Sequence, residues 1–227
     1  DSNEIKNIQP KNRELSQLKH DFENGKYEKI ILDAKNQLLK NNILTKKKYM
    51  YRVFMEFAYS KMNIDQYDMN VRVENLKIIT DSEMTKNKVM HLKFRLMLSQ
   101  CYWQQHESVK ALDLLYKILS EINKNKKDYS SKFFADAYFL QTNIFIAQDK
   151  PIQAILTAKE SIKFADEKQE CDLYYIISNI YFTYLNNTKD ALIYAQKSWS
   201  QLYQNASFLE SLVSLCYYSY FFEKKYK

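Results

Sequence analysis

The side chains that most often carry out catalysis are spread thinly along this sequence. Its three histidines, His20, His91 and His106, lie far apart, and none belongs to an HExxH or a paired Cys/His spacing that would hold a metal. The single glycine, Gly25, excludes a glycine-rich phosphate loop, and no serine lies in a G-x-S-x-G turn. We therefore expect no catalytic residue, no metal site and no cofactor, and we predict that the chain is not an enzyme.

The cysteines and the apolar runs bear on the compartment. Cys101, Cys171 and Cys216 are far apart, and each falls in an apolar helical run, so we interpret them as buried reduced thiols. The longest apolar run, 212–222, is interrupted by serines and is too short for a membrane span. We predict no membrane span and a cytoplasmic location, with an extracytoplasmic sensor domain as the alternative.

Composition indicates an all-helical chain. The 227 residues contain one glycine and two prolines, whereas β-rich folds need many turn-forming residues. Lysine and arginine outnumber aspartate and glutamate by 34 to 27, which gives a mild net charge of +7. Lysines cluster at 46–48 and 124–127, in segments that read as solvated linkers between helices. We therefore expect no direct nucleic-acid contact by this segment.

The segment 135–162 contains the clearest pattern in the chain. Small and aromatic residues recur at spacings of three and four on each side of an Asp149-Lys150-Pro151 turn, which predicts two short amphipathic helices. Pro151 lies where the second helix begins, a position at which its missing N–H costs nothing. The stripe residues are Tyr138, Thr142 and Phe145 in the first helix, and Ala154, Ala158, Ser161 and Ile162 in the second.

This hairpin resembles the tetratricopeptide repeat (TPR), a helical hairpin of about 34 residues. Tyr138 resembles the Trp of the motif, Phe145 its Tyr and Ala154 its Ala, while Thr142 takes the place of Gly and Ser161 that of the later Ala. Two further copies carry the same offsets, and their anchoring alanines are Ala111 and Ala191, the latter with one extra residue in the turn. Two copies depart from the pattern, because Ile30 and Asn70 occupy the alanine position.

The resemblance implies an all-α fold, a right-handed α-solenoid of about five TPR-like hairpins and a terminal helix. We place the hairpins at about 12–40, 48–80, 88–123, 131–168 and 171–203, with a sixth copy beginning at 209–226. Residues 1–11 are expected to be a flexible lead-in, and 12–227 a single TPR-like domain that is truncated at its C-terminus. The aromatic face of the last helix would be left uncovered, which suggests a homo-oligomer through that helix.

In the TPR family, the first helix of each hairpin lines a concave groove that holds an extended peptide or a partner helix. Amides in such a groove can donate and accept at once, which suits an extended backbone, and aromatic residues beside them supply side-chain pockets. The resemblance implies these groove residues: Arg52, Met55, Tyr59, Lys93, Leu96, Gln100, Trp103, Phe139, Asn143, Ile146, Tyr175, Asn179 and Phe182.

The irregular repeats, rich in lysine and asparagine, look similar to the sensor halves of bacterial transcription regulators. We therefore predict a non-catalytic peptide- or protein-binding domain, the sensing or docking half of a regulator. Two alternatives stay open. One is a structural assembly scaffold that oligomerises through its ends, and the other is an RNA-binding helical repeat, which would need a continuous basic face.

Overall fold

In the computed structural model the chain folds into helices joined by short turns, and no strand occurs among the described residues, which are 13–62, 66–82 and 88–202. The all-α prediction is confirmed, and the helices pair as the five predicted hairpins. The predicted lead-in at 1–11 and the sixth copy at 209–226 lie outside the described residues. The helices are α1 (Arg13–Glu23), α2 (Tyr27–Leu38), α3 (Thr45–Tyr59), α4 (Gln66–Asp81), α5 (Lys88–Gln104), α6 (Ser108–Lys124), α7 (Ser131–Ala147), α8 (Pro151–Ile162), α9 (Glu167–Thr183) and α10 (Thr188–Leu202).

Three hairpins close with the same tight turn, in which one residue is left-handed. That residue is Gly25 (φ 71°) after α1, His106 (φ 63°) after α5 and Asp149 (φ 55°) after α7. In each turn the N–H of the following residue donates to the carbonyl oxygen five residues back, at 2.8 to 2.9 Å, and so satisfies a carbonyl that the helix end leaves open. The fifth hairpin has the predicted extra residue, since Asn187 N–H donates to the carbonyl six residues back, at 2.8 Å.

Small residues let the two helices of a hairpin approach closely, as the repeat pattern predicts. Ala111, Ala154 and Ala191 are fully buried. In the third hairpin the hydroxyl of Ser99 donates to the carbonyl oxygen of Ala111 at 2.8 Å. In the fifth, the hydroxyl of Ser178 donates to the carbonyl of Ala191 at 2.7 Å. The residue in the glycine position of the motif therefore anchors the first helix to the second.

The chain divides into two compact units, Asp1–Leu114 and Leu115–Lys227, and the boundary falls within α6. We call them unit 1 and unit 2. In unit 1, the core is built on large side chains of α3, with Tyr51, Phe54 and Phe57 almost fully buried. In unit 2, α7 and α8 bury smaller residues such as Ala137 and Ala158 against each other. The difference reflects the sequence, because the small-residue pattern is strongest after Leu98.

The repeat register predicted for the second helix of the second hairpin is wrong. Asn70, placed at the alanine position, is exposed, and its side-chain oxygen accepts a hydrogen bond from Gln105 at 2.6 Å. The face of α4 that packs into unit 1 carries Val73 and Leu76 together with the polar Arg72. Because polar residues share the buried face of this helix, its apolar spacing is a poor guide to which side faces inward.

Most helices bury one face and expose the other. On α8, Ile155 is buried, whereas Ile152 and Leu156 are exposed. None of the helices within the described ranges is both long enough and apolar enough to cross a lipid bilayer. The described cysteines, Cys101 and Cys171, are buried free thiols, as predicted.

Candidate functional site

Three side-chain amides occupy equivalent positions on three first helices. Gln100, Asn143 and Asn179 each directly follow the residue in the glycine position of the motif. Successive helical residues are about 100° apart around the axis, so each amide lies on the side next to the anchored face. Gln100 and Asn179 are exposed and Asn143 is partly buried. None of the three side chains forms a hydrogen bond with any other residue that the structure describes.

In unit 2, two of the six predicted groove residues are exposed, three are partly buried and one is buried. Tyr175 of α9 is 43% exposed, while Phe139 and Ile146 of α7 are partly buried. Phe182 is buried, and it packs in a small cluster with Ala191. The N-terminal parts of α7 and α9 are joined directly, since the side chain of Gln169 donates to Asp136 at 2.7 Å.

In unit 1, the predicted groove residues divide between two helices. On α5, Gln100 is exposed, and Lys93, Leu96 and Trp103 are partly buried. On α3, by contrast, Met55 and Tyr59 are buried in the core. The reason is that α3 contacts α1, α2 and α4, so the face that the repeat pattern leaves open is covered here. Arg52 is partly buried and donates to the side-chain oxygen of Asn75.

A cavity of about 380 Å³ brings predicted residues of α3 and α5 together within unit 1. It lies where the C-terminal end of α3 meets α4 and α5. Two of its lining residues, Tyr59 and Gln100, belong to the predicted groove. The remaining described residues that line it are Ser60, Met62, Met69, Arg72, Met97 and Gln104.

Behind this cavity lies a buried charged network. Glu56 is fully buried, and its carboxylate accepts from Nε of Arg72 at 3.0 Å and from the amide of Asn75 at 3.3 Å. Burial raises the pKa of Glu56 to about 7, and the attraction of Arg72 offsets only part of that shift. The guanidinium of Arg72 also lies over the ring of Tyr59, 5.7 Å from its centroid.

Sequence reasoning missed Glu56 and Arg72, although the sequence contains a signal for each. Glu56 is the only charged residue in the apolar run 53–59, and a lone carboxylate in such a run must find a buried partner. Arg72 lies three residues after Met69 and four before Leu76, on the apolar stripe of α4. Two charges on inward-facing stripes of neighbouring helices are a candidate ion pair.

The comparison with known proteins establishes the fold. No protein-family model matches the sequence, and no curated protein matches it. A crystal structure of MamA resembles the chain with a TM-score of 0.61, covering 82% of this chain and 95% of that one at 16% identity. Bacillus thuringiensis PlcR in its apo form has a TM-score of 0.59 and covers 88% of this chain and 73% of that one, at 15% identity. The chain therefore has a TPR-like all-α fold, and at these identities the likeness extends to the fold alone.

Proposed function

We propose that this chain is a non-catalytic binding domain that holds an extended peptide, or an extended segment of a partner protein, against its first helices. The observation that supports this most strongly is the pair of amides in unit 2, Asn143 and Asn179, at equivalent positions on successive first helices and without hydrogen-bond partners among the described residues. An extended segment presents unpaired N–H and C=O groups, and one amide can accept from the first and donate to the second. In unit 2, Tyr175 and Phe139 offer apolar surface beside the amides.

The biological role we infer is the sensing or docking half of a bacterial regulator. The resemblance of these irregular repeats to the sensor halves of bacterial transcription regulators supports this role. The fold similarity to PlcR, a Bacillus thuringiensis protein solved in its apo form, is consistent with it. In such a role the bound segment would shift the populations of two conformations, so binding itself is the property to test first.

The test uses peptides selected by the intact chain from a phage-displayed random library, with affinities measured by calorimetry. Each amide contact with a peptide backbone contributes about 0.5–1.5 kcal/mol net. The double variant Asn143→Ala/Asn179→Ala should therefore bind the selected peptide about fivefold to a hundredfold more weakly. Its helical content by circular dichroism should be unchanged, because neither amide bonds to a described residue.

The matched control is Gln153→Ala/Gln196→Ala, which removes two exposed amides from the second helices α8 and α10. This control should keep the wild-type affinity. Wild-type affinity in the Asn143/Asn179 double variant would instead move the binding site elsewhere. A stable oligomer of the ligand-free chain in a sizing experiment, with no peptide selected, would favour the assembly scaffold.

A further inference from the structure

The cavity of unit 1 has the size and lining of a binding site for a small group. Its volume of about 380 Å³ lies at the lower end of the range for ligand pockets. Among the described residues that line it, Arg72 is the only charged one. Two amide side chains, Gln100 and Gln104, and three thioethers, Met62, Met69 and Met97, make up most of the remainder. The lining therefore offers one cation and several amide donors beside an adaptable apolar wall.

Arg72 is held in place by contacts on two sides. It is only 7% exposed, its Nε donates to Glu56 at 3.0 Å, and its guanidinium plane lies over Tyr59. Glu56 is itself fixed by Asn75, which in turn accepts from Arg52. A guanidinium has five N–H donors, so four remain on the two Nη atoms after the bond to Glu56. Because the Arg72 side chain is already fixed, binding a ligand to it costs less side-chain entropy.

The chemistry of this lining selects a monoanion on an apolar stem. A carboxylate matches the fork of a guanidinium, and amide N–H groups can complete its hydrogen bonds. The methylene groups of such a ligand would pack on the thioethers. A cation would face Arg72 with no acidic residue among the described lining residues. A phosphate dianion would find one cation among those residues for its two charges, with the carboxylate of Glu56 directly behind it.

We propose that the cavity between α3, α4 and α5 binds the side-chain carboxylate of an aspartate or glutamate in a peptide segment. This inference rests on the proposed function and concerns unit 1 alone, where Tyr59 and Gln100 belong to both the cavity and the predicted groove. It adds a chemical requirement, namely that a segment bound at unit 1 carries an acidic side chain.

Binding of a carboxylate next to Arg72 should be coupled to a proton. The pKa of Glu56 is raised by burial to about 7, and a second anion on Arg72 raises it further. The groups that face Glu56 are Arg72 and Asn75 of α4 and Cys101 of α5, and Arg52 lies one turn earlier on its own helix. The pKa of the Cys101 thiol is raised by burial to about 11, so Cys101 stays neutral near pH 7. Glu56 should therefore take up a proton on binding, and affinity should increase as the pH falls from 8 to 6.

The experiment follows the isotope-labelled intact chain by NMR at the Nε–H of Arg72 and the side-chain amide of Gln104. The probe is N-acetyl-glutamate N-methylamide, whose only carboxylate is in its side chain. Its neutral isostere, N-acetyl-glutamine N-methylamide, and N-acetyl-alanine, which has only a main-chain carboxylate, are the comparison ligands. We expect saturable shifts with the glutamate probe at millimolar concentration and binding at least about tenfold weaker with the other two.

Two variants test the role of charge without removing Arg72, whose loss could unfold unit 1. Gln100→Glu places a carboxylate in the exposed part of the lining and should abolish probe binding. Its control, Gln153→Glu, makes the same charge change at an exposed position of α8 and should leave binding unchanged. Glu56→Gln keeps the size of the side chain and one of its two acceptor oxygens and removes the competing charge. It should strengthen binding at pH 8 by up to about tenfold, because a carboxyl group with a pKa of about 7 must otherwise take up a proton one unit above that pKa.

Any of three results would overturn the inference: equal binding of the glutamine isostere, preference for the main-chain carboxylate of N-acetyl-alanine, or no shift at Arg72 with the glutamate probe. These short probes carry too little backbone to span Asn143 and Asn179. Their failure therefore leaves the peptide-binding proposal standing on the double-variant calorimetry. Conversely, probe binding together with wild-type peptide affinity in that double variant would retain the cavity site alone.

Discussion

The two units differ in the kind of polar residue that they bury and in how those residues are bonded. Unit 1 buries the charged residues Asp21, Glu56 and Arg72, whereas the buried polar residues described in unit 2 are all uncharged. In unit 2 hydroxyl groups bridge helix to backbone, as when Ser161 donates to the carbonyl oxygen of Ala135 at 2.9 Å. The other buried polar residues described in unit 2 are Gln141, Thr142, Ser178 and Ser198.

This difference follows the quality of the repeats. Hairpins with small residues at the motif positions bring their backbones close together, and a serine hydroxyl then reaches a neighbouring carbonyl. The first two hairpins lack that pattern, and their helices are joined by longer charged side chains, such as Lys29, whose Nζ lies 2.7 Å from Asp21. A hydroxyl–carbonyl bond contributes about 1 kcal/mol and its loss is tolerable. A buried ion pair is costly to break, because the remaining charge has no partner.

The sharpest test of this comparison is to remove one charge from unit 1. Arg72→Met leaves Glu56 buried without its cation, and we expect a loss of about 3–5 kcal/mol in the free energy of unfolding by urea. Ser178→Ala in unit 2 removes one hydroxyl bond and should cost only about 0.5–1.5 kcal/mol. Adding Glu56→Gln to Arg72→Met should recover part of the loss. Similar costs for the two single variants would contradict the comparison.

The pH dependence of stability should also differ between the wild type and Glu56→Gln. The pKa of Glu56 in the folded state is about 7, above its ordinary 4.5, so the folded state holds the proton more tightly than the unfolded one. Stability from this group is present below about pH 4.5 and is lost as the pH rises to about 7, by about 2–4 kcal/mol in total. Urea unfolding from pH 5 to pH 8 should show this slope in the wild type.

Subtracting the free energy of unfolding of Glu56→Gln from that of the wild type at each pH cancels the contributions of the other groups that titrate in this range. Glu56→Gln should lack the component of the slope that Glu56 contributes. A difference between wild type and variant that stays constant with pH would show that Glu56 keeps an ordinary pKa despite its burial.

Stability of unit 2 should be more sensitive to added side-chain volume in its core than to the loss of a charge. Ala154 is fully buried at the contact of α7 and α8, and Ala154→Leu should destabilise the chain by about 1–3 kcal/mol through overpacking. Leu156→Ala, two residues further along α8 at a site 59% exposed, should stay within about 0.5 kcal/mol of the wild type. Thermal unfolding of both variants measures the contrast. An unchanged midpoint for Ala154→Leu would refute the repeat register of this hairpin.

The sequence predicted those parts of the fold in which one residue type has one physical consequence. A small residue at Ala111, Ala154 or Ala191 permits close helix contact, so the spacing of such residues reveals the hairpins directly. The predicted position of Asn70 was wrong because α4 buries polar residues. The spacing of apolar residues does not reveal them. The burial of Met55 and Tyr59 was not predictable either, because it depends on how neighbouring hairpins surround α3. The amide row was predicted from register alone, and its role in binding stays a prediction.

The smallest expected effect compares the left-handed turns of the two units. A Cβ added at Gly25 in unit 1 would meet no atom within 4 Å, so Gly25→Ala should cost about 1 kcal/mol from backbone conformation alone. Asp149 holds the same position in unit 2 at φ 55°. Aspartate tolerates this conformation better than most residues, yet Asp149→Gly should still stabilise the chain by up to about 1 kcal/mol, since relief of strain outweighs the added flexibility of the unfolded chain. Urea midpoints of the two variants should therefore shift in opposite directions, and a shift in the same direction would mean that side-chain contacts, rather than backbone conformation, control these turns.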